Sequence, residues 1–451
     1  MRRRAKHESM QLNFNDFSGG INVMSTGDLI AMNEMQVCQN LWFLANQHSL
    51  SPRGGVSAPM VDIGQEIMSM HYDIDSNTLL VFARSGDIYR VVTMNNAEQI
   101  GRLTGSSSPV CAKFQDKIWI ASGDKLQYYD YGVEESLYTV MDSPVCDIVF
   151  QRFARLCVAQ TGLDRITYSA TGDGTSWETD SNDQSTSQWV DVGYGDSGDI
   201  IAVAPLATDL MIFKNNGMIY QLTGDADVSS WAIYRIATET DTVGRQAAIP
   251  VGNDVVFISR GGLKTLKTTM DYGNIATGDI GDKFNLLVRT SQYEPKLFHL
   301  RRRKILLIRP TADWRYLIAY NYAVGAATTL KFAIPIVDIV ETLDKVVIAS
   351  GSSLYELTEE SLNDNGTPID FIMRMKDTVS NDEIIARSLD TDMTAGQAGT
   401  VDLRIDNMHV SMPANSRRKV RCNHSTPKLE VEVTSQTPFY PKHITVEVAD
   451  L

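Results

Sequence analysis

Cysteine is scarce in this chain and follows no pattern. Cys38, Cys111, Cys146, Cys157 and Cys422 make an odd number, and no C-x-x-C pair occurs in 451 residues. A secreted disulfide framework and a zinc ribbon both need paired spacings, so single buried thiols made in a reducing cytoplasm are expected. Seven histidines are scattered without H-x-H or H-E-x-x-H spacing, and no metal is expected. No P-loop, G-x-S-x-G or G-x-G-x-x-G stands between a strand and a helix pattern. No catalytic residue and no cofactor follow from the sequence, and an enzyme is not expected. No run of about 18 apolar residues exists to span a membrane as a helix. The basic start MRRRAKHESM lacks the apolar stretch of about seven residues that a secretory signal needs. Basic charge is also short, with Lys+Arg 41 against Asp+Glu 55 and a net charge of −14. A chain that grips phosphates needs the opposite balance. This one suits solubility, or a surface that DNA slides past.

What is present is one hairpin written repeatedly. LMIFKNNGMIYQLTG (210–224) is an apolar run, a polar Asn-Asn-Gly turn and a second run carrying Tyr. Relatives of it are LLVFARSGDIYRV (79–91), KIWIASGDKLQYYDY (117–131), RLCVAQTGLDRITYSA (155–170), DVVFISRGGLKTL (254–266), KILLIRPTADWRYLIAYNY (304–322) and KVVIASGSSLYELTEE (345–360). An alternating apolar run often precedes the hairpin, as in SSPVCAKFQDK, DSPVCDIVFQR and FAIPIVDIVETLD. Several short strands repeating every 40 to 50 residues or so predict a β-propeller of six or seven blades. Closure can borrow a strand from one end of the chain. The rival is a pair of stacked sandwiches, which does not account for the likeness between units.

The ends read differently. Residues 1–65 are expected to form an N-terminal extension and docking segment. Its stretch NEMQVCQNLWFLANQ (33–47) places apolar residues at helical spacing and predicts a short amphipathic helix. Residues 66–364 are assigned to the propeller. From 365 to 451 the runs alternate cleanly with polar residues and predict an antiparallel β-sandwich. The expected fold is therefore mainly β.

Three kinds of candidate site stand out. TYSATGDGTSWETD (167–180) loosely resembles the Asp-box of sialidase-type propellers through Thr171, Asp173 and Trp177. Thr175 stands where a glycine belongs and the Trp is one residue early. A bland Asp/Gly turn with a Trp packed beneath it explains the same residues. The surrounding 172–199 segment has Asp173, Glu178, Asp180, Asp183, Asp191, Asp196 and Asp199 with no Lys or Arg. It reads as a solvated insertion, a calcium loop lacking the usual spacing, or a negative loop facing a channel; Asp173, Glu178, Asp180, Asp183 and Asp191 are the lumen candidates. Three basic clusters are interface candidates: Arg2, Arg3 and Arg4; Arg301, Arg302 and Arg303; and Arg417, Arg418 and Lys419. Without interleaved aromatics they suit an acidic protein partner better than a nucleic acid.

The run FNDFSGGINVMSTGDLIAMNEMQVCQNLWFLANQHSLSPRGGV resembles the opening of tail hub, or nozzle-type, proteins of short-tailed bacteriophages. The matching positions are Gly19, Gly20, Asn40, Arg53 and Gly55, with Gly54 as an extra residue. LMIFKNNGMIYQLTG and RITYSATGDGTSW are similar to hairpins and turns of that family. The resemblance implies a structural virion protein of the phage tail, assembled in the host cytoplasm. Six copies would form a ring below the portal-adaptor proteins, extend the DNA ejection channel without specific DNA binding, and anchor fibres, spikes or a needle. The competing expectations are a carbohydrate-binding or glycan-cleaving propeller of tail-fibre type, with aromatics and carboxylates gathered at one mouth, and a monomeric cellular interaction propeller.

Overall fold

A computed structural model describes residues 9–93, 95–132, 135–237, 244–268, 275–289, 295–310, 313–394, 399–413 and 416–450. Six antiparallel four-stranded meanders follow one another along the chain. The first comprises Ile67–Asp73, Thr78–Ala83, Asp87–Thr93 and Asn96–Arg102, and the sixth ends with Ala326–Lys331. In blade four the quoted hairpin pairs Leu210 with Leu222 and Ile212 with Tyr220. Its turn closes on Gly217 at φ 81°, a backbone conformation glycine adopts without a Cβ penalty. The first strand of each meander lies innermost.

A seventh blade completes the ring. Asp338–Glu341, Val346–Ser350 and Ser353–Thr358 supply three strands. The fourth comes from the other end of the chain. Gly55–Val56 and Val61–Asp62 both pair antiparallel with Ser353–Thr358. The ring therefore has seven blades and is closed by a borrowed strand. Each cleft between blades is filled by apolar side chains: Phe82 with Ile118 between the first two, Phe213 with Phe257 at 5.1 Å between the fourth and fifth, and Val347 with Val81 where the seventh meets the first. A single blade leaves both faces wet, whereas the closed ring removes them from water. That is worth about 1.5–3 kcal/mol for each large apolar side chain fully buried.

The last 80 residues or so form a two-sheet sandwich, joined to the propeller by N-terminal strands. One sheet orders Ser9–Phe14, Tyr440–Asp450, Thr378–Thr394 and Ser416–Leu429. The other begins as blade six. Val37–Gln39 lies parallel to Ala326–Lys331, with Gln39 opposite Thr329. On its other side it pairs antiparallel with Phe371–Arg374, with Gln39 opposite Ile372. Val431–Ser435, Thr400–Ile405 and Met408–Pro413 extend this sheet to nine strands. Blade six and one sheet of the sandwich are thus one continuous sheet, over a core that includes Phe14, Leu389, Leu403 and Val446.

The helix expected at 33–47 is absent. Glu34–Met35, Val37–Gln39 and Leu41–Phe43 are strands, and Asn40 and Ala45 take φ of 63° and 47°. Apolar residues here are buried on all sides by two sheets, so their helical spacing reflects no single face. Tertiary strand pairing outweighs the local pattern. Among the described residues the helices are Asn285–Arg289 and one 3-10 turn, Val228–Ser230.

Candidate functional site

Asp173, Glu178, Asp180 and Asp183 lie in the connection between the third and outermost strands of blade three. Asp173 accepts from Thr175 N and Oγ1 at 2.8 and 2.6 Å. Hydrogen bonds from Thr175 hold its carboxyl below the usual range, against a smaller opposing effect of burial. Trp177 is buried and donates to Gly174 O at 3.0 Å. This is the turn with a tryptophan beneath it. Asp183 accepts from Ser185 N at 2.8 Å, Asp180 from Asn182 N at 2.9 Å, and Glu178 is exposed. The buried Arg155 holds the loop by donating to Ser169 O and Thr186 O at 2.6 and 2.9 Å. Asp191 is elsewhere, ion-paired to Arg165 at 2.7 Å. Among the described residues no three His, Cys, Asp or Glu side chains are grouped to hold a metal ion. Gly172 N donates to Ala154 O at 2.7 Å and Gly172 O accepts from Gln115 Nε2 at 2.7 Å, in the turns after the innermost strands of blades three and two. The loop therefore lies over that face of the ring and touches turns of blades three and two.

Of the basic clusters, Arg302 and Arg303 are engaged within the chain. Arg302 pairs with Glu341 at 3.3 Å and donates to Thr342 O at 2.7 Å and to Leu343 O, tying blade six to blade seven. Arg303 lies over Trp42 at 5.0 Å, while Arg301 remains exposed. Arg417 and Lys419 sit on Ser416–Leu429, an edge strand. They face Asp390 and Glu447 at 3.5 and 3.7 Å and stay mostly solvated. Lysine and arginine on an exposed edge also discourage strand addition by another chain. Arg418 belongs to the same strand, its side chain outside the described set. Arg2, Arg3 and Arg4 lie outside the described residues.

Of the N-terminal residues singled out in the sequence, Asn40, Arg53 and Gly55 lie at one buried joint and Gly20 packs against blade six. Arg53 is 2% exposed. Its guanidinium binds both oxygens of Asp364 at 2.8 and 2.7 Å, Asn40 Oδ1 at 2.9 Å and Lys331 O at 2.7 Å, and lies 4.2 Å from the Phe332 ring centre. Asn40 donates to Asp370 O at 2.8 Å and accepts from Lys331 N at 2.8 Å. A Cβ on Gly55 would meet Asn363 O at 2.2 Å, and one on Gly20 would meet Ala327 O at 2.6 Å. These positions join the N-terminal strands, blades six and seven and the sandwich. The repeat motif has a similar use. Lys214 of the Phe-Lys turn is fully buried, donating to Val192 O at 2.7 Å and to Asp196 at 2.6 Å, and Tyr220 donates to the same carboxylate at 2.6 Å. Burial, and the bond to Asp196, push the Tyr220 hydroxyl up to about 12.

A cavity of about 420 Å³ occupies the opposite mouth of the propeller, where the chain enters the innermost strands. Arg84, Arg245, Lys296 and Arg309 line it, with Ser106, Ser108, Gln246 and Trp314, and among the described residues no carboxylate is part of its wall. The compensating acids stand behind. Asp338 receives Lys296 Nζ at 2.8 Å and Met70 N at 2.7 Å, linking blades six, seven and one. Asp147 receives Arg245 at 3.0 Å, bridging blades three and five. Arg309 donates to Ile336 O and Val337 O at 3.2 and 2.9 Å. Arg309 and Arg84 both approach the Trp314 ring, at 4.6 and 5.8 Å from its centre. Burial lowers Arg309 and Lys296 from their ordinary values, Asp338 opposing this in both. Sequence reasoning missed all four cations, because each is isolated in sequence and only ring closure gathers them.

No protein-family model matches the chain, and no curated protein matches it. Among solved structures it is similar to BamB from Moraxella catarrhalis, at 12% identity and a TM-score of 0.42, over 70% of this chain and 92% of that one. It is also similar to the extracellular domain of a one component system from B. thetaiotaomicron, at 10% identity and a TM-score of 0.49 over 90% of this chain. The chain spans 61% of that structure's length. Likeness at this level concerns architecture alone. The class is a seven-bladed β-propeller with a sandwich grown from blade six, and the strand order establishes it.

Proposed function

We propose that the chain is a structural subunit of a bacteriophage tail, a hub or nozzle that self-associates into a ring below a portal-adaptor complex, extends the DNA channel and carries fibres, spikes or a needle. The observation that supports this reading is the joint around Arg53. The segment resembling hub proteins is spent on welding propeller and sandwich through one continuous sheet, a use suited to a subunit that transmits load. The acidic loop on one face suits a channel wall, where like charge keeps DNA from adhering. Exposed aromatics such as Trp189 and Tyr194 sit at or beyond the outer edge of blade three, away from the axial mouth, which does not favour the glycan reading. Light scattering on the purified chain, alone and with portal-adaptor complex, tests the proposal. A ring in either condition is expected. A chain that stays monomeric and ignores the complex overturns it.

A further inference from the structure

We propose that the axial cavity is a binding site for a small multivalent oxyanion of the phosphate class, either free phosphate or a phosphate ester. The inference is independent of the tail-hub reading. It begins from the charge of the wall. In a chain with 55 acidic and 41 basic side chains, the cavity presents four cations and, among the described residues, no carboxylate; Asp338, Asp147 and Glu66 pair with Lys296, Arg245 and Arg84 from outside the wall. Lys296 is only 8% exposed, so its ammonium is built into the wall and does not wander over the surface. Asp338 takes one Lys296 proton, and an ammonium has three to offer. Among the described residues the recorded partners of Arg309 are backbone carbonyls, which leave its charge uncompensated by direct pairing. Arg84 pairs with Glu66 at 2.8 Å outside the wall, and its guanidinium lies 5.8 Å from the centre of the Trp314 ring.

Like charges gathered around one cavity repel, and a multivalent anion relieves that repulsion while taking several charge-assisted hydrogen bonds at once. Ser106, Ser108 and Gln246 add neutral donors beside the cations. Gln246 already reaches across the axis to Ser108 at 3.4 Å, so groups from blades five and two can share one ligand oxygen set. The volume of about 420 Å³ holds a phosphate ester and excludes a duplex, which needs an open groove. Forked guanidinium donors fit the tetrahedral oxyanion better than a planar carboxylate pair does here, because the donors arrive from separate blades around the axis.

The test is isothermal titration of the full chain with pyrophosphate, inorganic phosphate, glucose 6-phosphate and citrate. One saturable site is expected, with pyrophosphate or the ester bound more tightly than citrate, and affinity falling as NaCl is raised. Free phosphate and ester are separated by which of the two binds more tightly. Arg84→Gln, a half-exposed position, should weaken binding by about tenfold. Arg309→Gln should weaken it further, and Arg301→Gln, at the other end of blade six's innermost strand, should leave it unchanged. Should Arg309→Gln fail to fold, Arg84→Gln with Ser108→Ala carries the same comparison. The proposal is overturned if wild type shows no saturable heat, if citrate is preferred, or if Arg84→Gln binds as wild type does.

Discussion

Arg53 shows how much one side chain decides. Its ion pair with Asp364 is buried from both sides, at 2.8 and 2.7 Å. Arg53→Met strands the carboxylate and should cost about 3–5 kcal/mol in urea unfolding. Arg53→Met with Asp364→Asn should cost less than the single change, because the stranded charge is gone; equal losses would mean that Arg53 acts through Asn40 and Phe332 instead. Lys214→Met should act alike on Asp196, whose carboxyl burial would raise but bonds from Lys214 and Tyr220 hold low. Histidine sets the acid limb. Burial lowers His71 and His299 from 6.5 to about 4. Between those values the unfolded chain binds more protons, so stability should fall as pH drops from about 6.5 toward 4. The urea midpoint followed across that range should fall less steeply in His71→Phe, and an unaltered slope would assign the effect to other groups.

At the scale of elements, the repeated hairpins were legible because each turn and alternation is local. The second strands begin at Thr78, Lys117, Arg155, Asp209, Asp254, Ile305 and Val346, within one residue of the starts read from sequence. The 33–47 stretch was misread because its partners, Ala326–Lys331 and Phe371–Arg374, lie some 300 residues away. The strand borrowed by blade seven is the element most exposed to test. Replacing Gly55–Asp62 by a flexible linker of the same length should uncover the edge of Ser353–Thr358 and lower the calorimetric transition, with a blade-seven shoulder separating from the main peak. A single unshifted transition would show that the ring needs no such closure. Gly20→Ala, at φ 66° and against Ala327 O, should cost about 1–3 kcal/mol from backbone strain alone.

Across the whole molecule, an acidic loop of blade three lies on one face of the ring, and cations line the axial mouth of the other. In an assembled tail, reversing Asp180 and Asp183 to Lys should slow DNA ejection if that face lines the channel; unchanged ejection kinetics would place the loop elsewhere. The sequence by itself determined the repeat, the β class and the alternating C-terminal strands, because pattern and turn chemistry act over a few residues. It also marked Gly19, Gly20, Asn40, Arg53 and Gly55 as special without saying why. The tertiary structure alone decided the seventh blade, the shared sheet and the cationic cavity. Those depend on which distant strands pair when the ring closes, and on where single charges meet around its axis.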